Sequence, residues 1–254
     1  MTSPSYESAS SRTAWYLRCK AGDVADRAVL VGDRGRVLLA AELLDEARIL
    51  NEDRGLTTTT GTWQGTPITV SAFGMGAPIA GVVLHELVSL GVTTVVRLGT
   101  ALTMGGTQLG DFIVADGAIR GESTSGTYIP EGYPASPDLG LAVAMYEAGK
   151  ATGRAVHSGL IASYDGFYSQ MFPDGVIPAP HAVDLDDLGN KGVVGLDMET
   201  SAVLAIGRAL GVRAASLCLA SVSGGNHATM DPQQRTQAEK DLLTAGFNGL
   251  VADK

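Results

Sequence analysis

From residue 28 to residue 251 the chain alternates β-type and helix-type segments, and no linker in it is long enough to divide domains. Segments 28–31, 68–72, 93–98, 111–115, 157–163, 193–197 and 213–222 are β-branched or apolar and bounded by turn residues, the pattern of strands. Segments 79–90, 139–152, 200–210 and 232–251 carry apolar residues at helical spacing. This alternation predicts an α/β fold: a single domain with a mixed, largely parallel central sheet flanked by helices, and ligands outside the carboxyl ends of the strands. With 45% apolar residues in a chain of 254, one sizeable core can be buried, and residues 13–254 are expected to form it. Segment 169–191, with Pro173, Pro178, Pro180 and the acidic run Asp184-Leu185-Asp186-Asp187, follows neither period and reads as a loop or lid. The Ser-rich residues 1–12 read as a disordered terminus.

Charge and cysteine content narrow the function classes. A net charge of −9 argues against general binding to nucleic acid or anionic membranes. Cys19 and Cys218, far apart in the chain, support neither a disulfide framework nor a zinc site, so no metal is expected. Because no run of eighteen apolar residues occurs and residues 1–12 lack the charged-then-apolar form of a leader, the expectation is a soluble, cytoplasmic protein.

Within this acidic chain, one stretch is built for an anion. In Val31-Gly32-Asp33-Arg34-Gly35-Arg36-Val37 a strand runs into a glycine turn followed by arginine. Asn51-Glu52-Asp53-Arg54-Gly55 and Arg97-Leu98-Gly99-Thr100 repeat the theme. Free backbone N–H groups of tight turns donate to phosphate oxygens, and planar guanidiniums clamp them bidentately. Phosphate is the expected guest, although a single arginine of this kind is more often a solvated charge.

These stretches fall into an ordered series: Gly22-Asp23-Val24-Ala25-Asp26, Val31 through Arg36, Arg54-Gly55, Gly74-Met75-Gly76-Ala77-Pro78, Arg97-Leu98-Gly99-Thr100, Asp165-Gly166-Phe167-Tyr168 and Asp197-Met198-Glu199. In that series the chain resembles the hexameric nucleoside phosphorylase family, which includes purine nucleoside, uridine and methylthioadenosine phosphorylases. The resemblance implies phosphorolysis: nucleoside and inorganic phosphate give a free base and ribose 1-phosphate, with phosphate as co-substrate and no other cofactor. It places Gly32, Arg36, Arg97 and Thr100 on phosphate, with Arg54 supplied by a neighbouring subunit. It places Met198 and Glu199 on ribose, Glu199 accepting from the 2′ and 3′ hydroxyls, and it aligns Tyr16 with a residue that reaches the neighbour's sugar. Arg97 and Glu199 would be the catalytic pair. A homo-oligomer, a hexamer built from dimers, is implied as well.

At the base the resemblance breaks down. The aspartate that the purine enzymes place after the strand ending in Val222-Ser223 is Gly224 here, and the Asn-Arg pair of the uridine enzymes is replaced by Ser223 and Gly224. Phe167, Tyr168 and Gln170 remain in the base motif, but its arginine is absent. The family's Gly-Thr-x-Gly reads Gly99-Thr100-Ala101-Leu102. Two readings stay open. Leu102 and Gly224 exchange volume across one pocket and leave it apolar, in which case an aspartate restored at Gly224 raises purine turnover; or the alignment slips and Asn226 or His227 touches the base. Beside the phosphorylase stand two alternatives, a hydrolytic nucleosidase, against which Arg36, Arg54 and Arg97 speak, and an altered homologue that binds a nucleoside or another anion. Cys218 reads as packed rather than nucleophilic. His85, Glu86 and His157 have no second histidine at ligand spacing.

Overall fold

A computed structural model describes residues 13–253; the expectation of a disordered 1–12 lies outside the described residues. The first half of the chain runs through β1 (Arg27–Val31), α1 (Arg34–Leu43), β2 (Asp45–Asn51), β3 (Thr58–Trp63), β4 (Thr66–Ala72), α2 (Ala77–Ser89) and β5 (Thr94–Thr103). The second half adds β6 (Phe112–Gly121), α3 (Leu139–Ala151), β7 (Val156–Tyr164), α4 (Leu185–Asn190), β8 (Val193–Asp197), α5 (Thr200–Ala209), β9 (Arg213–Ser223) and α6 (Pro232–Ala252). The predicted α/β fold and the elements read from periodicity are all present.

The strands form one mixed sheet in the order β2-β3-β4-β1-β5-β8-β7-β6-β9, and a further pairing of β9 with β5 closes the last five strands into a ring. β5 is the hinge of this arrangement. Its first half pairs in parallel with β1, its end meets β8 antiparallel at Leu102 and Thr103, and β9 follows it in parallel along its length. A ten-residue strand that serves three neighbours delivers its side chains to the point where the open sheet becomes the ring, which is where ligands lie in α/β sheets.

Alternation along β1 shows how the layers are built. Val29 and Val31 enter the core shared with α1, α3 and α6, whereas Ala28 and Leu30 enter the core shared with α2 and α5. Both faces are covered, so the strand is apolar throughout. Close approach of helices favours small residues: a Cβ on Gly249 of α6 would fall 3.3 Å from the Ala144 carbonyl oxygen of α3.

Four elements, α1, β2, β3 and α4, depart from the sequence expectation. α1 occupies what reads as a glycine turn, with Asp33 capping it by accepting from the Gly35 amide at 2.8 Å. β2 and β3 form a hairpin rich in polar residues. Within segment 169–191, residues 173–184 are irregular and mostly exposed, as a loop should be, but 185–190 form α4 and Met171 is buried.

Candidate active site

Several chain segments converge at the carboxyl ends of β1, β5 and β8 around a cavity of about 560 Å³. β1 runs into Gly32, whose carbonyl accepts from the Gly74 amide at 2.9 Å. A Cβ at Gly32 would stand 2.9 Å from the Gly74 carbonyl oxygen, so this approach of the two strand ends requires glycine. The next turn begins α1 and brings in Arg36, 5% exposed, whose Nη1 donates to the Leu98 carbonyl at 2.9 Å. β5 contributes Arg97, Thr100 and Leu102, and the β8–α5 junction contributes Asp197, Met198 and Glu199.

Arg97 is the centre of the polar end. Its Nη2 donates to Glu199 Oε2 at 2.5 Å and lies 2.9 Å from Asp197 Oδ2, and all three side chains are buried. Burial opposes the Arg97 charge, but Asp197, the Cys218 thiol and Glu199 outweigh it and hold the pKa above the ordinary arginine value. Glu199 also accepts from the Gly76 amide at 2.6 Å. Burial pushes its pKa above the usual glutamate value, with Arg97 pulling against that shift and Asp197 reinforcing it. For Arg36, burial presses the pKa down, Glu239 opposes, and Arg97 adds repulsion. Among the described residues, neither Arg36 Nε nor Arg97 Nε has a hydrogen-bond acceptor, although both are buried. Two buried guanidinium groups in one cavity wall fit an anionic guest.

Asp197 is the residue whose role the sequence reading passed over. Its carboxylate accepts from the Thr200 amide at 3.1 Å and from Ser163 Oγ at 2.6 Å, so it caps α5. That leaves the Glu199 carboxylate free to face the cavity rather than satisfy the helix end. An aspartate three residues before a threonine that opens an apolar helix was the available signal.

Of the expected site residues, Gly32, Arg36, Arg97, Thr100, Met198, Glu199, Leu102 and Phe167 line the cavity. Arg54 and Tyr16 do not; the Arg54 guanidinium sits over the Tyr16 ring at 5.5 Å, on a turn where Arg54 takes a φ of 57°. Tyr168 is 59% exposed and packs edge-on against Phe167 outside the cavity. Gln170 accepts from the Gly166 amide at 2.8 Å and is not a wall residue. Ser223 and Gly224 also stand apart, Gly224 facing an adjoining groove with Thr103 and Met104. Leu102 and Gly224 therefore do not exchange volume across one pocket. A Cβ at Gly224 would lie 2.5 Å from the Thr103 carbonyl oxygen, so an aspartate there forces the ends of β5 and β9 apart instead of restoring an acid.

The remaining candidates have local roles. The Cys218 thiol is fully buried and pushed up by that burial, so it packs rather than attacks. His157 pairs with Asp111 at 2.8 Å, and Tyr128 meets His85 at 3.3 Å. Among the described residues no helix is long and apolar enough to cross a membrane.

The comparison with known proteins agrees with this geometry. A model described as the phosphorylase superfamily matches residues 26–245. The chain is 36% identical over 208 residues to a uridine phosphorylase of Thermococcus kodakarensis, covering 80% of this chain and 75% of that one. It is 31% identical over 204 residues to a guanosine phosphorylase of Halorubrum lacusprofundi, covering 80% of each. A DeoD-type purine nucleoside phosphorylase of Streptococcus uberis is 30% identical over 248 residues, 94% of this chain and 98% of that one. The crystal structure of uridine phosphorylase from Vibrio fischeri superposes with a TM-score of 0.84 at 26% identity, covering 96% and 99% of the two chains. Sequence and structure together establish that the chain belongs to the phosphorylase superfamily.

Proposed function

We propose that the chain cleaves the N-glycosidic bond of a ribonucleoside by phosphorolysis, a pentosyl transfer from base to phosphate. The observation that carries this reading is the pair of buried arginines, Arg36 and Arg97, whose side chains line one cavity together with Gly32 and Thr100. A hydrolytic nucleosidase has no use for such a clamp. Phosphate binds against Gly32, Arg36, Arg97 and Thr100. The Glu199 carboxylate accepts the ribose hydroxyls, with Met198 packed beside the sugar. A phosphate oxygen bonds to C1′ while the C1′–N bond breaks and leaves its electron pair on the base. Positive character that develops on the sugar is met by the bound anion, and the two reactants are held at bonding distance. No cofactor beyond phosphate takes part. The reverse reaction tests the reading: ribose 1-phosphate and a free base should yield nucleoside and inorganic phosphate, which a nucleosidase cannot do.

The raised pKa of Glu199 sets a pH dependence. Its carboxylate accepts ribose hydroxyls only when ionised, so kcat/KM for nucleoside at saturating phosphate falls as pH drops through a value above 4.5, the ordinary glutamate value. Glu199→Gln should lower the plateau and remove that limb. An unchanged acid limb in the variant would show that another group controls it.

Arg54 and Tyr16 together, outside the cavity of their own subunit, support a shared site. The chain then works in the cytoplasm as a homo-oligomer, a hexamer of three dimers, each subunit lending this pair to a neighbour. Sedimentation should give six subunits, and Arg54→Ala should impair phosphate use without dissociating them. A fully active monomer would contradict the shared site.

A further inference from the structure

We infer that this enzyme releases the base without giving it a proton, and so works best on ribosides whose leaving group departs readily as an anion. The inference rests on the phosphorolytic reading above and concerns the opposite end of the same cavity. There the wall consists of Leu102, Phe167, Met171, Leu196 and Val222. These residues belong to, or pack on, one apolar cluster, which places them together and apart from the arginines.

Each titratable group in the wall is committed elsewhere. The four arginines, Arg34, Arg36, Arg97 and Arg235, are guanidinium cations, hydrogen-bond donors rather than acids. Asp33 caps α1, Asp197 caps α5, and Glu199 is held by Arg97 and the Gly76 amide. The hydroxyls of Thr100 and Ser221 also reach the wall, but a hydroxyl is a hydrogen-bond donor and not an acid in this range.

Polar side chains around the apolar end are amides and a hydroxyl, which can donate a hydrogen bond but are not acids. Gln170 Oε1 accepts from Gly166, Asn226 Oδ1 from Ala228 at 3.1 Å, and Thr103 Oγ1 from Gly224 at 3.1 Å. Neither Asn226 nor His227 lines the cavity. His227 is exposed, and its ring lies 3.6 Å from that of Phe172, which in turn stacks on Phe167 at 5.4 Å. Of that pair Phe167 lines the cavity, an apolar ring with no proton to give.

The step therefore balances without an enzymic acid. A phosphate oxygen forms the bond to C1′, the C1′–N pair stays on the base, and the basic nitrogen takes its proton from water after departure. An apolar site also discriminates weakly between bases, since it strands no polar group when the wrong one binds.

The test compares uridine, 5-fluorouridine, inosine and 4-nitrophenyl β-D-ribofuranoside, each with and without inorganic phosphate, in the wild type and in His227→Ala. The expected result is phosphate-dependent cleavage whose kcat/KM climbs as the leaving group becomes more acidic, the 4-nitrophenyl riboside exceeding uridine and inosine by about 10²-fold or more. His227→Ala should leave that dependence unchanged. Natural nucleosides cleaved as fast as the activated riboside, or a His227→Ala defect confined to the natural nucleosides, would overturn the inference while phosphate dependence still upheld the phosphorylase. Rates indifferent to phosphate throughout would overturn both.

Discussion

Arg97→Met should lower phosphate-dependent turnover by about 10³-fold and destabilise the fold by about 3–5 kcal/mol. Both effects come from one guanidinium. It faces the cavity as a cationic donor, and its Nη2 is shared by the buried carboxylates of Asp197 and Glu199. Removing it leaves two like charges in contact without a counter-ion, which is far worse than never having buried the trio. Arg97→Lys separates the two effects, because an ammonium keeps the charge but loses the planar fork that grips phosphate. Denaturant unfolding should show Lys near the wild type and Met well below it, while both variants lose phosphate saturation. A Lys variant with normal phosphate kinetics would remove Arg97 from the phosphate site.

Gly99→Ala should cost about 10²-fold in turnover, although it adds only a methyl group. Residues 97 and 99 share one face of β5, and the Arg97 side chain folds back along the strand over Gly99. A Cβ at position 99 would fall 1.3 Å from Arg97 Nη1 and 2.4 Å from its Cζ. Either the guanidinium leaves its carboxylates or β5 shifts, and both misplace the clamp. Steady-state kinetics on a variant with a wild-type circular dichroism spectrum provides the check. Wild-type kinetics would mean that Arg97 acts from another position.

What the sequence made legible follows the physics of each part. Core strands and amphipathic helices announce themselves because burial on one or both faces dictates apolar periodicity. α1 does not, since within Arg34–Leu43 the buried side is only Val37, Ala40 and the functional Arg36. β3 hides for a related reason: its buried residues include Thr58, Thr59 and Thr60, and hydroxyl contacts such as Thr58 with Ser71 at 2.8 Å satisfy them in place of apolar packing. The polar end of the site was readable because Gly32 follows the end of β1 and Glu199 precedes α5, positions whose geometry is local, and because Arg97 stands in the same ordered series of motifs. The apolar end was not. Whether Gln170 or Gly224 faces the cavity depends on how two irregular segments settle over β5 and β9, Gln170 held by the nearby Gly166 amide and Gly224 by Thr103, a residue of β5 distant in sequence.

The central claim is that phosphate is the acceptor of the ribosyl group. Initial rates of base release from a nucleoside, measured across a range of inorganic phosphate with the sugar product identified by phosphorus NMR, test it most directly. The expected result is saturable dependence on phosphate, no release in its absence, and ribose 1-phosphate formed in equal amount with the base. Base release that continues unchanged without phosphate and yields free ribose would contradict it.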